Sequence, residues 1–523
     1  MRNHFMAATS IVVFGALVLV RAEPDKGADA RVRLRLVDDA TGKAAAGLVR
    51  IFRQGDDKPL SLFALPDRLR GLGKEAQPGG WHVIPTRGGE TKLPRGRLRL
   101  EAFSGLETAL TSQEIDLIGD TGDEVVLRLK YLFHPEDDKL YAGNPHLHLR
   151  DMTLAQADDY LRELPSADGL KVLFISYLER FKDDEYYITN RYPIGLLKRF
   201  DGTGVLVSNG EEHRHNFQAY GPGYGHVMFL DINQLVKPVS LGPGITGAGD
   251  DDRPLVPGIE DARKQGGTVI WCHNTFGYES AADAVAGRLD AFNVFDGSTE
   301  GAYEDRYYRF LNVGLRLPLS TGTDWFLYDF ARVYARLPDR LSVPAWLAAL
   351  KAGRCVATNG PMLTLTVDGR AIGDVVRCDT PRKVRIEAAG IGRHDFGRLE
   401  LVQNGRVIQG ETAAKREGGF SARLVREVEI DEPAWFAVRI DSQTKNELGR
   451  KLYAHTSPVY VDLAGKRVFD IESARNLQRQ LEAARDAIRQ RGSFSTPQAR
   501  DKVLTLYDQA EKEIVERINQ RGK

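Results

Sequence analysis

Cysteine is the first scarcity. The 523 residues hold three, Cys272, Cys355 and Cys378, too few for a disulfide framework and without the close pairs of a zinc ribbon. Cys355 and Cys378 are open to pairing in an oxidising compartment, whereas Cys272 reads more plainly as an unpaired, buried thiol. Net charge is missing as well: 72 basic residues balance 72 acidic ones, so no long-range field draws the chain to nucleic acid or to an anionic membrane. Beyond the N-terminus no apolar run approaches the roughly 20 residues that a bilayer-spanning helix needs. There is no glycine-rich phosphate loop with a following lysine, and no arginine pair offers itself for a phosphate.

What is present is a chain too long for one core, for which two to four domains are expected. Arg2 and His4 precede an apolar run from about Ala7 to Val20, and Val20-Arg21-Ala22 stands before the polar Glu23-Pro24-Asp25-Lys26. This pattern reads as a signal peptide, residues 1–22, cleaved after Ala22. The expectation is an exported protein, secreted or periplasmic, with no stable membrane insertion.

Residues 31–135 read as a small β-sandwich. Val32, Leu34 and Leu36 alternate with arginines, the Asp38-Asp39-Ala40-Thr41-Gly42-Lys43 turn follows, and Leu48 to Phe52, Arg97 to Leu100 and Val125 to Leu129 repeat the pattern. A period of two marks strands with one wet face. This part resembles the regulatory-like, transthyretin-like modules appended to secreted enzymes. His82 and His134 are solitary, and a structural role is expected for both.

From about residue 139 short apolar strands alternate with helical segments, beginning with His146 to Leu149, a helix opened by Thr153, and Val172 to Ile175. Later strands are expected at Val205 to Val207, Val227 to Ile232, Thr268 to Cys272, Phe292 to Phe295 and Leu315 to Leu319. Such alternation argues for a parallel sheet with helices outside, about seven strands in a closed or nearly closed barrel spanning 139–360, with working residues at the C-terminal strand ends. Residues 361–465 read as a second β-sandwich. In 467–523, Leu477, Leu481, Ala484 and Ile488 share one helix face and Val503, Tyr507, Ala510, Ile514 and Ile518 another. Ser493, Thr496 and Pro497 break the two helices apart. That hairpin suits packing against the body or a homo-oligomer.

The chemistry concentrates in Gly210 to Val227, where eighteen residues carry two carboxylates, three histidines and four glycines. The segment reads as one loop between two buried strands, a usual place for working residues. Carboxylate with imidazole is the ligand mixture of zinc, iron and manganese sites, which selects Glu212 and His226. His146-Leu147-His148 lies on the first barrel strand, where residues two apart share a face. His273 follows the strand Thr268 to Cys272, and Asp324 follows Leu319 to Thr323. The expected metal ligands are therefore His146, His148, Glu212, His226, His273 and Asp324. A core role for the His-x-His pair stays open, as does an exposed-loop role for His213 and His215.

The order His-x-His, Gly-x-Glu with Gly-His shortly after, His at a strand end, then Gly-Thr-Asp is similar to the polymerase-and-histidinol-phosphatase (PHP) domain, and within it to CehA/McbA-type metallohydrolases. The likeness spans about 139–361 and includes the Thr-Asn-Gly-Pro exit, Thr358 to Pro361. It implies a distorted (βα)7 barrel, a multinuclear metal centre and hydrolysis of phosphoesters or, in some members, carbamates and aryl esters. Two ligand positions of the family are empty here: the second strand ends Phe174-Ile175-Ser176-Tyr177, and the final motif reads Gly322-Thr323-Asp324-Trp325-Phe326. Asp151 is the one candidate for a third.

The resulting expectation is a centre of two divalent ions, zinc first, manganese or iron as alternatives. His146, His148 and Asp324 would hold one ion, His226 and His273 the other, and Glu212 would bridge them. A shared hydroxide would attack a small-molecule phosphoester or carboxyl or carbamoyl ester, with Tyr224, His213 or His215 protonating the leaving group. Amidohydrolases also place His-x-His early and Asp late, but their middle histidines sit on separate strands and their bridge is often a modified lysine. The competing expectation from another class is a barrel with reduced or no catalysis, acting as a binding or structural module.

Overall fold

The computed structural model describes residues 29–72, 79–117, 124–219, 221–273, 277–296 and 304–521. The expected signal peptide lies outside them. The described chain is mixed α/β, mostly strands in several sheets, with eight α-helices among the described residues. None of these helices is long and apolar enough to cross a membrane.

The N-terminal part forms two four-stranded sheets. In one, Ala30–Asp38 lies parallel to Glu124–Leu129 and antiparallel to Gly89–Leu93. In the other, Gly47–Arg53 pairs with Arg97–Phe103. Val32, Leu34 and Leu36 turn inward while Arg31 and Arg33 stay exposed, as the period-two pattern requires. They meet Val49, Ile51, Leu98 and Leu100 in a separate small core. His82 is buried there, its Nε2 accepting from the Leu62 N–H, and His134 stacks on Tyr131.

The largest sheet is mixed, which corrects the expectation of a parallel one. Leu206–His215 runs parallel to Val172–Tyr177, and Thr268–Cys272, Ala291–Asp296 and Leu319–Gly322 continue in parallel. Between these groups Gly225–Leu230 is antiparallel to both Leu206–His215 and Thr268–Cys272. The connection is too short for the crossover of a dozen or more residues that a parallel pair needs, so a hairpin is the accessible solution. Gly225, at φ 140°, makes the turn fit: a Cβ there would stand 2.1 Å from the Trp271 ring. A strand that period counting overlooked, Arg332–Arg336, pairs antiparallel with Leu140–Asn144 and with Cys355–Thr358.

The ladder continues through Ala454–Thr456 into the C-terminal strands, beside a five-stranded sheet that includes Met362–Val367, Arg382–Gly392 and Gly419–Ile430. At the exit, Asn359 Nδ2 donates to Asp329 and to the Lys451 carbonyl, and its Oδ1 accepts from the Tyr453 N–H. Helices Ile471–Arg491 and Pro497–Arg521 bury Leu477, Leu481, Ala484, Ile488, Val503, Tyr507, Ala510 and Ile514 in the main core with Trp271 and Phe310. The apolar faces of the hairpin are thus covered within the chain. All three cysteines are buried and none forms a disulfide; the Cys355 thiol lies against Ser457 rather than Cys378.

Candidate metal centre

Residues spread from 146 to 324 converge because strand ends meet at one side of the large sheet. Leu147 is fully buried and Leu147–His148 pairs in parallel with Asp324–Trp325. The Asp324 N–H donates to the His146 carbonyl at 3.0 Å and the Phe326 N–H to the His148 carbonyl at 2.9 Å. Glycine at 322 is required beside this crossing, since a Cβ would stand 2.6 Å from His146 Cβ. Period two then turns both imidazoles the same way, with His146 Nε2 and His148 Nε2 3.1 Å apart.

Glu212 is on the Leu206–His215 strand and His226 on its antiparallel neighbour, where Glu212 faces Met228 and Arg214 faces His226. Glu212 and His226 therefore share a face. His273 follows the next strand. His273 and Asp324 hold left-handed backbone angles, φ 50° and 60°, conformations that cost non-glycine residues energy and that cluster at working sites.

The contacts fall around the two oxygens of Glu212. Its Oε2 lies 2.8 Å from His148 Nε2 and 3.8 Å from His146 Nε2. Asp324 Oδ1 lies 3.3 Å from His146 Nε2 and 3.6 Å from His148 Nε2. Glu212 Oε1 lies 3.0 Å from His226 Nδ1 and 3.5 Å from His273 Nε2, and Asp324 Oδ2 lies 3.8 Å from His273 Nε2. Ligands about 2.0–2.1 Å from a tetrahedral ion stand roughly 3.3 Å from one another. These separations are of that size.

The protons tell the same story. His148 Nδ1 donates to the Ser176 carbonyl at 3.0 Å, so in the neutral ring Nε2 presents a lone pair to Glu212. His226 Nε2 donates to Asn216 Oδ1 at 3.1 Å, and the Asn216 amide is oriented by its own bond to the Gly221 carbonyl. That leaves His226 Nδ1 facing Glu212 Oε1, and both atoms are buried without a hydrogen bond among the described residues. Burial pushes His226 down to about 4 and lowers His148, against the pull of Glu212. Neutral imidazoles whose lone pairs face an ionised carboxylate are satisfied by a shared proton or metal ion. The buried His, Glu and Asp cluster could therefore hold metal, and outer partners such as Ser176 and Asn216 fix its rings.

The other expected site residues lie elsewhere. Gly210 to His215 is strand rather than loop, and Glu211, His213 and His215 occupy the face opposite Glu212. His213 is fully buried, bonded to Glu211 at 3.0 Å and stacked on Phe229. His215 bonds Asp251 at 2.9 Å, and the Tyr224 hydroxyl donates to the Asp251 carbonyl at 2.5 Å. The structure brings none of these three to the cluster, and their burial also corrects the exposed-loop reading. Asp151 is exposed and paired with Arg150. Arg214 and Asn216, given no role in the sequence reading, do lie on the site side. The signal for Arg214 was there, two residues beyond Glu212 on one strand.

No protein-family model matches the chain, and no curated protein or solved structure matches it.

Proposed function

We propose that this chain is an exported metal-dependent hydrolase built on a distorted (βα)7 barrel of the PHP kind, with a centre of two divalent ions. His146, His148 and Asp324 would hold one ion and His226 and His273 the other, with one oxygen of Glu212 toward each; zinc suits the mixture of nitrogen and oxygen ligands, as do manganese and iron. Such ions, when bound, supply a water acidified to near neutrality and a Lewis acid for a phosphoryl or carbonyl oxygen.

The chain's own contribution is placement. Ser176 and Asn216 hold the His148 and His226 rings so that lone pairs face inward. Trp325 lies against His148, with ring centroids 5.2 Å apart, and packs that side of the imidazole. The observation that carries the reading is the convergence of six ligand-type side chains with buried acceptors facing one another. The substrates proposed are small phosphoesters or carboxyl or carbamoyl esters.

One observation favours the second reading, a barrel that binds without catalysing. The places that would complete a third site in the PHP family are the second-strand end, Ser176-Tyr177, and Phe326, two places after Asp324. Metal analysis of the purified protein, followed by a hydrolysis screen with zinc, manganese and iron, separates the two. About two ions per chain with turnover supports the enzyme; no metal and no turnover in any condition sinks it.

A further inference from the structure

Arg214 is an unusual arginine. It is 3 % exposed, on the same strand face as Glu212 and directly across from His226. Its Nη2 donates to the Glu179 carbonyl at 3.0 Å, and its Nε is buried without a hydrogen-bond partner. Among the described residues no carboxylate comes within ion-pair distance of it. Buried guanidinium groups are ordinarily matched by an anion, because an unmatched buried charge is costly. Buried Arg68 holds Asp168 at 2.6 Å and buried Arg393 holds Glu447, while buried Arg332, which like Arg214 has no carboxylate partner, donates from Nε and Nη1 to the Phe330 and Asp168 carbonyls; the orphaned Nε sets Arg214 apart from these three.

Arg214 borders the proposed metal ligands: it stands two residues from Glu212 on one strand face and opposite His226 on the neighbouring strand. A planar guanidinium with an unused donor suits two oxygens of one anionic group.

We propose that Arg214 is a specificity-determining residue that binds an anionic oxygen of the substrate's reacting group. This rests on the hydrolase reading above. A carboxyl or carbamoyl ester is neutral at its reacting carbon, whereas a phosphoryl ester carries negative charge there. Arg214 therefore selects phosphoesters from the substrate classes left open.

The probe is inorganic phosphate, titrated calorimetrically into the full-length protein with and without bound zinc or manganese, metal content being measured in every sample. Wild type is expected to bind phosphate, and Arg214→Gln to bind it at least tenfold more weakly at unchanged metal content, with Arg214→Lys between them. Equal affinity in Arg214→Gln, or no phosphate binding by wild type in either state, overturns the proposal. Arg214-dependent binding in a chain that takes up no metal keeps the anion site and overturns the hydrolase reading instead. Should the variants not fold, phenylglyoxal modification of wild type mapped by mass spectrometry serves: phosphate is expected to slow reaction at Arg214, and no protection overturns the assignment.

Discussion

Glu212 Oε2 stands 2.8 Å from His148 Nε2, a nitrogen left without its proton because the other ring nitrogen donates to the Ser176 carbonyl. An acceptor facing an acceptor at this distance is what a shared cation accounts for. Glu212→Gln removes the charge and puts an amide N–H among lone pairs. Metal content is expected to fall, and hydrolysis to fall by more than the roughly 10–100-fold that losing an outer partner costs. Full metal occupancy with unchanged turnover in Glu212→Gln would rule out a bridging carboxylate.

Asn216 acts one step further out, accepting from His226 Nε2 at 3.1 Å. Asn216→Ala frees the imidazole to rotate and to change tautomer. Metal affinity is expected to drop roughly 10–100-fold while the unfolding temperature of the metal-free chain barely changes. Competition with a chelating dye measures this, and an affinity within twofold of wild type would remove Asn216 from the site.

His455 is fully buried and is expected to make stability depend on pH. Its Nδ1 donates to the Thr456 carbonyl at 2.7 Å and its Nε2 accepts from the Tyr308 hydroxyl at 2.7 Å, so the neutral ring is fully used. Burial pushes its pKa down to about 3 from 6.5. The unfolded chain thus binds the proton first: the contribution is complete above about pH 6.5 and is lost as pH falls from there towards 3. Denaturant titrations at pH 7.5 and 5 are expected to differ partly through this residue, by on the order of 1–2 kcal/mol. His455→Gln should flatten that part of the slope, and an identical slope would exclude the assignment.

Glu447 anchors the junction between the N-terminal and C-terminal sheets. Arg393 pairs with it and also donates to the Thr108 carbonyl at 2.5 Å and the Gly105 carbonyl at 3.2 Å. Burial opposes the Glu447 charge, but Arg393 and His394 outweigh it and hold the carboxyl well below the usual range. The stabilisation is therefore present above about pH 4.5 and disappears as pH falls through the depressed value. Glu447→Gln strands the buried guanidinium and is expected to cost about 3–5 kcal/mol at pH 7. A loss below about 1 kcal/mol in equilibrium unfolding would show that Arg393 finds its partners elsewhere.

Much of this architecture was legible in one dimension. Alternation at Val32, Leu34 and Leu36 marked an N-terminal strand, and Thr153 marked a helix start that the structure realises with a capping box to Gln156. The 3.6-residue spacing from Leu477 to Ile488 marked a buried helix face. The shared face of His146 and His148 followed from period two alone. Gly210 to His215 was harder, because its glycine and dense charge imitate a loop. It is a fully enclosed strand, with Glu211, His213 and His215 on one face and Glu212 and Arg214 on the other.

By itself the sequence determined local conformation and the supply of ligand-type residues, since backbone periodicity and side-chain chemistry are properties of neighbours. Which parity of the Leu206–His215 strand faces the cluster was decided only by its register against Gly225–Leu230. A shift of one residue would have offered Glu211, His213 and His215 in place of Glu212 and Arg214, because a strand turns successive side chains to opposite sides. Tertiary pairing made that choice, and with it which charges meet in the buried histidine and carboxylate cluster.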